Sequence, residues 1–284
     1  MKQDEPVYLI FPNTTEQIEF VPINSNVTLL LRTFRPKIPT SNPPVLFVAG
    51  WISQIESWQY VLSDMCKDFV IYYLETREKK SSRVKGNVEY GVEDLAKDLT
   101  VLVQHLHLEA GNYILFGSSL GASAILEANH LLSAIPCCQL LVGPNAVFRV
   151  PFLGKLMVWL THPALYIVVK EIVKWYLRTF RMKLDKDVAQ YKKYANALDA
   201  ADPWKLKKAM LKLSKYEIWE RLPTIQTPTL IVGGKSDTLH EPDNLQKIVS
   251  QMPNAKYVDM ETNSNTHSSL VVDNLRQFLK DLNH

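Results

Sequence analysis

The chain has 284 residues, 46% of them hydrophobic and 21% charged, and a formal net charge of +3. That composition excludes a disordered or fibrous chain, and the small net charge, with no Lys/Arg run interleaved with aromatics, excludes a nucleic-acid module. The length suits one large α/β domain with room for an inserted subdomain.

The N-terminal stretch carries acids at once and only a short apolar patch, unlike a signal peptide. Three cysteines, Cys66, Cys137 and Cys138, make an odd count without C-x-x-C spacing. Neither a zinc site nor a disulfide framework is expected, and the expected setting is reducing and cytoplasmic. Ile18 to Pro22 and Val27 to Thr33 flank the Asn24-Ser25-Asn26 turn and predict a β-hairpin. Val45 to Val48 is wholly apolar, a central strand that stops at Ala49-Gly50-Trp51. Ser57 to Cys66 has helical spacing with Trp58, Val61 and Leu62 on its apolar side. Phe69 to Leu74 is a further buried strand, and the charged run ETREKKSSRVKG, residues 75–86, predicts a surface loop. Val92 to Leu106 places Leu95, Leu99, Val101, Leu102 and Leu106 on a helical face. Beyond it, strands at Tyr113, Gln139, Thr229 and Lys256 alternate with helices after Ser119, from Glu241 and from Ser268. Alternation of this kind predicts a mostly parallel sheet covered on both faces.

Residues 147–221 break the rhythm. They offer no clear strand and predict helices interrupted by Pro151, Pro163 and Pro203, an insertion lying over the strand ends. The expected organisation is a core over 1–146 and 222–284 with a cap, or lid, over 147–221.

The most informative stretch is Tyr113 to His130. The strand Tyr113-Ile114-Leu115-Phe116 runs into Gly117-Ser118-Ser119-Leu120-Gly121, which fits G-x-S-x-G, and a helix of small residues follows. A serine on so tight a strand-to-helix turn takes a strained backbone, and the residues two before and two after it crowd the turn, so both want to be glycine. The Ser119 hydroxyl is then raised above the strand ends, with the Leu120 N–H aimed where an oxyanion would form. A serine hydroxyl needs a base beside it, and in this topology the order is serine, acid, histidine. Asp237 follows the strand Thr229 to Val232 in the loop Gly233-Gly234-Lys235-Ser236-Asp237. His267 follows the last strand, just before the last helix. Both lie on loops at the carboxyl edge, which makes Ser119, Asp237 and His267 the expected triad. His240 is a rival base too close to Asp237 on the same loop, and Asp259 a rival acid that alternation also allows as a strand-end charge. The second oxyanion donor is expected from Gly50-Trp51, through the Trp51 N–H.

On these residues the chain resembles an α/β-hydrolase of the single-cap, serine-nucleophile kind: Ala49-Gly50-Trp51, the elbow around Ser119, Gly234-Lys235-Ser236-Asp237 and His267. The resemblance implies a mostly parallel eight-stranded sheet, a helical cap after the sixth strand, and no cofactor or metal. Family members commonly have His-Gly where this chain has Ala49-Gly50, and a glycine-rich turn where it has residues 75–82. A serine nucleophile argues against dehalogenase and epoxide hydrolase activity.

Residues 147–221 carry 16 Lys/Arg against 7 Asp/Glu, so they are strongly basic while the rest of the chain is acidic. Phe148, Phe152, Trp159, Tyr166, Trp175, Tyr176 and Phe180 crowd their first part. Such a segment suits either a cap packed by its own aromatics or a peripheral membrane contact. An apolar lid over the serine points to an ester or lipid with an apolar acyl chain, in the manner of an esterase, a lipase or a monoacylglycerol lipase. The alternatives are a thioesterase or amidase, a C–C hydrolase or cofactor-free haloperoxidase on the same scaffold, and a non-catalytic lipid-binding module with a relic triad.

Overall fold

The computed structural model describes residues 9, 11–148, 156, 158, 160, 162–181, 184–237 and 242–282. His240, Glu241, Pro151, Phe152, Trp159, His284 and the acidic N-terminal stretch lie outside that set, as does the side chain of Phe180.

Among the described residues nine strands form one sheet: β1 (Thr14–Pro22), β2 (Val27–Pro36), β3 (Val45–Val48), β4 (Ile71–Glu75), β5 (Arg83–Val84), β6 (Ile114–Ser118), β7 (Cys138–Val142), β8 (Thr229–Gly233) and β9 (Ala255–Asp259). Eight follow the path β1-β2-β4-β3-β6-β7-β8-β9, and β5 pairs only with β2. The hairpin β1–β2 is antiparallel, as is the β2–β4 pair; every pairing from β4 through β3 to β9 is parallel. A mostly parallel sheet covered on both faces is what the alternation of strands and helices predicts, and the α/β-hydrolase fold is what the resemblance implies.

Period-2 side-chain alternation splits the central strands between two cores. Leu46, Val48, Leu115, Leu141 and Ile231 face one, with Leu95, Leu99 and Leu102 of α2 (Val92–His105), Ala122 and Ile125 of α3 (Leu120–Ala128), and Leu245 and Ile248 of α7 (Pro242–Gln251). Val45, Phe47, Phe116, Leu140 and Val232 face the other, with Val61, Leu62 and Met65 of α1 (Gln59–Met65) and Val271, Leu275 and Phe278 of α8 (Ser269–Leu282). Burial on both faces is why β3, β6, β7 and β8 are near-continuous apolar runs. Parallel strands also bring the ends of β3, β6, β8 and β9 to one edge, where ligands bind in open α/β sheets.

Between β7, sixth along the sheet path, and β8, the described residues hold helices and one isolated bridge, Val147 to Glu217. The helices are α4 (Tyr166–Tyr176), α5 (Leu184–Ala200) and α6 (Pro203–Leu213). Pro163 and Pro203 begin helical turns rather than interrupt them, because a proline at the first helical position loses no hydrogen bond.

The charged stretch 75–86 is only in part the surface loop its composition predicts: Lys80, Ser81, Arg83, Lys85 and Gly86 are exposed, but its first residues turn inward. Glu75, Thr76, Arg77, Glu78, Lys79 and Ser82 are all buried. Arg77 donates through Nε to Asp98 Oδ2 at 2.7 Å and through Nη2 to Asp98 Oδ1. It also donates through Nη1 to the Glu89 carbonyl at 2.8 Å. Lys79 lies 3.1 Å from Glu75, and Glu78, whose carboxyl burial pushes up, accepts from Thr76 Oγ1 at 2.7 Å. Lys205 of α6 crosses to the same loop and donates to the carbonyls of Lys79 and Ser82, both at 2.6 Å. Arg77 turns inward because Asp98 and a carbonyl await it, whereas Glu78 Oε2 and Lys79 Nζ are buried without a hydrogen-bond partner among the described residues.

Candidate active site

Ser119 sits between β6 and α3 with φ 49° and ψ −113°, outside every region that an L residue prefers. Its own N–H donates to the Val142 carbonyl at 2.8 Å, and its carbonyl accepts from Ser123 N at 2.9 Å, so the turn is fixed from the neighbouring strand and from the helix it opens. Sterics settle the flanking residues. A Cβ on Gly117 would stand 2.7 Å from the Ala122 Cα, and one on Gly121 only 2.1 Å from the Val48 carbonyl oxygen. Gly121 is therefore where α3 comes down onto the end of β3. Gly121→Ala is expected to destabilise the protein by about 1–3 kcal/mol, because the obstacle is backbone that no rotamer change can clear. Urea unfolding checks this, and an unchanged midpoint would contradict it.

The loop after β3 lies against the elbow. A Cβ on Gly50 would be 3.3 Å from the Ser119 Cβ and 3.3 Å from the Ser118 carbonyl. Ile52, two residues on, has φ 50°, costly for a β-branched side chain, so strain sits on both sides of the serine. The Trp51 indole N–H is buried without an acceptor among the described residues. Leu120, buried, is the first residue of α3, where backbone N–H groups have no intrahelical acceptor.

Asp237 and His267 both contact Asn263. The turn after β8 packs directly on the backbone after β9: a Cβ on Gly234 would meet Thr262 C at 2.7 Å and Asn263 N at 2.9 Å. Ser236 N donates to the Glu261 carbonyl at 3.0 Å, closing the two loops on each other. Asp237 is buried, and its Oδ2 accepts from Asn263 Nδ2 at 2.8 Å. His267 is half-buried, with Nδ1 3.1 Å from the Asn263 carbonyl and 3.0 Å from Thr266 Oγ1. Its ring stacks on Trp58, centroids 4.2 Å apart at 30°. Trp58 meets Phe116 edge-on at 6.0 Å, three residues before Ser119. The imidazole is thus seated on an aromatic shelf that continues into the strand bearing the serine. The tautomer with its proton on Nδ1, toward the Asn263 carbonyl, leaves Nε2 as the basic nitrogen.

Asp259, the rival acid, is an exposed strand-end residue whose Oδ1 accepts from Lys235 N at 2.9 Å and Glu261 N at 2.8 Å. It shapes the two loops. His240, the rival base, lies outside the described residues. Two residues at the site escape sequence reasoning. Trp58 has only the spacing of a core residue, and nothing local announces a stack on a ring so far along the chain. Asn263 stands in a polar loop where asparagine is ordinary turn chemistry.

A family profile described as serine aminopeptidase, S33, matches residues 47–263. A Haemophilus influenzae protein whose name carries the terms esterase and lipase is 22% identical over 246 residues, 82% of this chain and 82% of that one. Among solved structures, the thermophilic esterase from Thermogutta terrifontis superposes with a TM-score of 0.71 at 18% identity, covering 94% of this chain and 99% of its own. The enol-lactonase from Burkholderia xenovorans LB400 gives 0.75 at 14% identity, covering 93% and 99%.

Proposed function

The chain belongs to the serine aminopeptidase S33 family, hydrolases of the α/β-hydrolase fold, and from that premise we propose that it is a serine hydrolase cleaving carboxylic esters with an apolar acyl chain. The observation that carries this reading is the backbone of Ser119. A residue held at φ 49° and ψ −113°, with the neighbouring positions restricted to glycine by backbone contact, is strain that a plain turn has no reason to keep. The esterase and lipase terms in the name of the Haemophilus influenzae relative support the choice of ester.

In this mechanism the Ser119 Oγ attacks the ester carbonyl carbon while its proton passes to His267 Nε2. The carbonyl oxygen becomes an oxyanion received by the N–H groups of Trp51 and Leu120. Collapse of the tetrahedral intermediate breaks the C–O bond, and the alcohol leaves with the proton from His267. Water, deprotonated by the same imidazole, attacks the acyl-enzyme, and a second collapse returns Ser119 and the carboxylic acid. Asp237, whose Oδ2 accepts from Asn263 Nδ2, stabilises the imidazolium. Residues 147–221 act as a cap whose apolar side chains receive the acyl chain. No step calls for a cofactor or metal.

A second reading, amide or peptide cleavage by the same residues, is favoured by the description of the matched family. One experiment separates them. A fluorophosphonate probe is expected to label the protein at Ser119. The unlabelled protein is expected to hydrolyse p-nitrophenyl esters, preferring longer acyl chains, at least about tenfold faster than aminoacyl p-nitroanilides, since apolar contact contributes about 0.8 kcal/mol per buried CH₂, and labelling is expected to abolish that activity. The reverse preference would establish the amidase reading. Absence of labelling in folded protein would remove both and leave a lipid-binding module.

A further inference from the structure

The helix α4 has no buried residue, although its sequence, YIVVKEIVKWY, is largely apolar. Ile167, Val168, Ile172 and Trp175 are 71%, 60%, 55% and 58% exposed and share one shallow apolar face. Among the described residues, nine of the sixteen exposed large apolar side chains lie from Leu156 to Trp204, so this is a concentrated patch rather than ordinary surface scatter. The one acid lining that face, Glu171, is paired with Lys174 at 2.9 Å, and Asp199 behind it is held by Lys170 at 2.6 Å and Lys174 at 2.8 Å. These ion pairs leave the apolar face little net negative charge.

Charge decides what covers the patch. Residues 147–221 hold 16 Lys/Arg against 7 Asp/Glu. A two-fold contact between copies through this face would set two strongly basic segments against each other, a like-charge arrangement that costs free energy. An anionic surface is the complementary partner. Helix length agrees: 11 residues rise about 16 Å, too short to cross a bilayer and suited to lying in its interface. Among the described residues no helix is long and apolar enough to cross a membrane. Trp175 and Tyr176, at the end of α4, are the residue types that settle at headgroup level.

We propose that the exposed face of α4, which lies within a segment of net positive formal charge, is a docking surface for an anionic lipid bilayer, α4 lying flat in the headgroup region. The proposal stands on this face alone and does not depend on the reaction assigned to Ser119.

The test is co-sedimentation of full-length protein carrying Ser119→Ala with vesicles of phosphatidylcholine containing 30% phosphatidylglycerol, so that binding is measured without turnover. Binding at least tenfold tighter than to pure phosphatidylcholine is expected, weakening at least tenfold when NaCl rises from 0.1 to 0.5 M. The pair Ile172→Asp and Trp175→Asp, both at exposed positions, is expected to abolish binding while leaving the unfolding midpoint unchanged. No binding to anionic vesicles would overturn the proposal, as would binding that is indifferent to lipid charge and to the paired substitution. A concentration-dependent dimer in analytical ultracentrifugation, dissociated by the same pair, would assign the face to a second copy instead.

Discussion

Ser119→Ala is expected to lower kcat for p-nitrophenyl butyrate by at least about 10⁴-fold, with no change in the unfolding midpoint. Alanine keeps the Cβ, so the elbow's backbone, the approach of Gly121 to Val48 and the contact with Gly50 are left as they are. Only the nucleophile is removed. What survives is catalysis from oxyanion donors and binding, far below the parent rate. Retention of more than about a tenth of that rate, a loss far smaller than removal of a nucleophile causes, would show that another group attacks the ester.

Ser119→Gly separates the serine's chemistry from its strain. A non-glycine residue in a sparsely populated backbone region costs about 1–3 kcal/mol. Glycine relieves that cost but loses about 0.5–1 kcal/mol to the greater freedom of the unfolded chain. A net gain of about 1 kcal/mol in stability is expected beside complete loss of turnover. Activity and stability moving in opposite directions at one position is the signature of strain kept for function.

Much of this was legible in the residues because burial leaves a pattern. Val45 to Val48 is apolar at every position, and the structure covers it on both faces. The G-x-S-x-G of residues 117–121 was legible because steric demand at a tight turn selects glycine at two fixed offsets, and the Cβ distances are that demand measured. What stayed hidden depends on partners distant in sequence. Nothing in ETREKKSSRVKG says that Arg77 finds Asp98 or that Lys205 caps the carbonyls of Lys79 and Ser82, so its charges mimic a solvated loop. Asn263 is hidden for a related reason. Its side chain holds Asp237 and its carbonyl faces His267, a juxtaposition made by packing Gly234 on the 262–263 backbone. The apolar face of α4 shows the opposite failure, because amphipathic spacing tells which residues share a face but not whether that face is covered.

The inward charges of that loop give the second large effect. Asp98→Ala is expected to destabilise the protein by about 3–5 kcal/mol, because the side chains of Arg77 and Asp98 are only 6% and 3% exposed and the substitution strands a guanidinium in the interior. The main-chain acceptors at Glu89 and Asp94 hydrogen-bond Arg77 but carry no compensating charge. The pair itself need not be worth that much, since desolvating both ions offsets most of their attraction. Replacing the two together, Arg77→Met with Asp98→Leu, is therefore expected to cost far less than Asp98→Ala alone. Urea unfolding of the two proteins, with the slope of the transition checked for constancy, measures the difference. A single substitution costing under about 1 kcal/mol would mean that water reaches Arg77 once its partner is gone, and that the stretch after β4 is looser than its buried side chains imply.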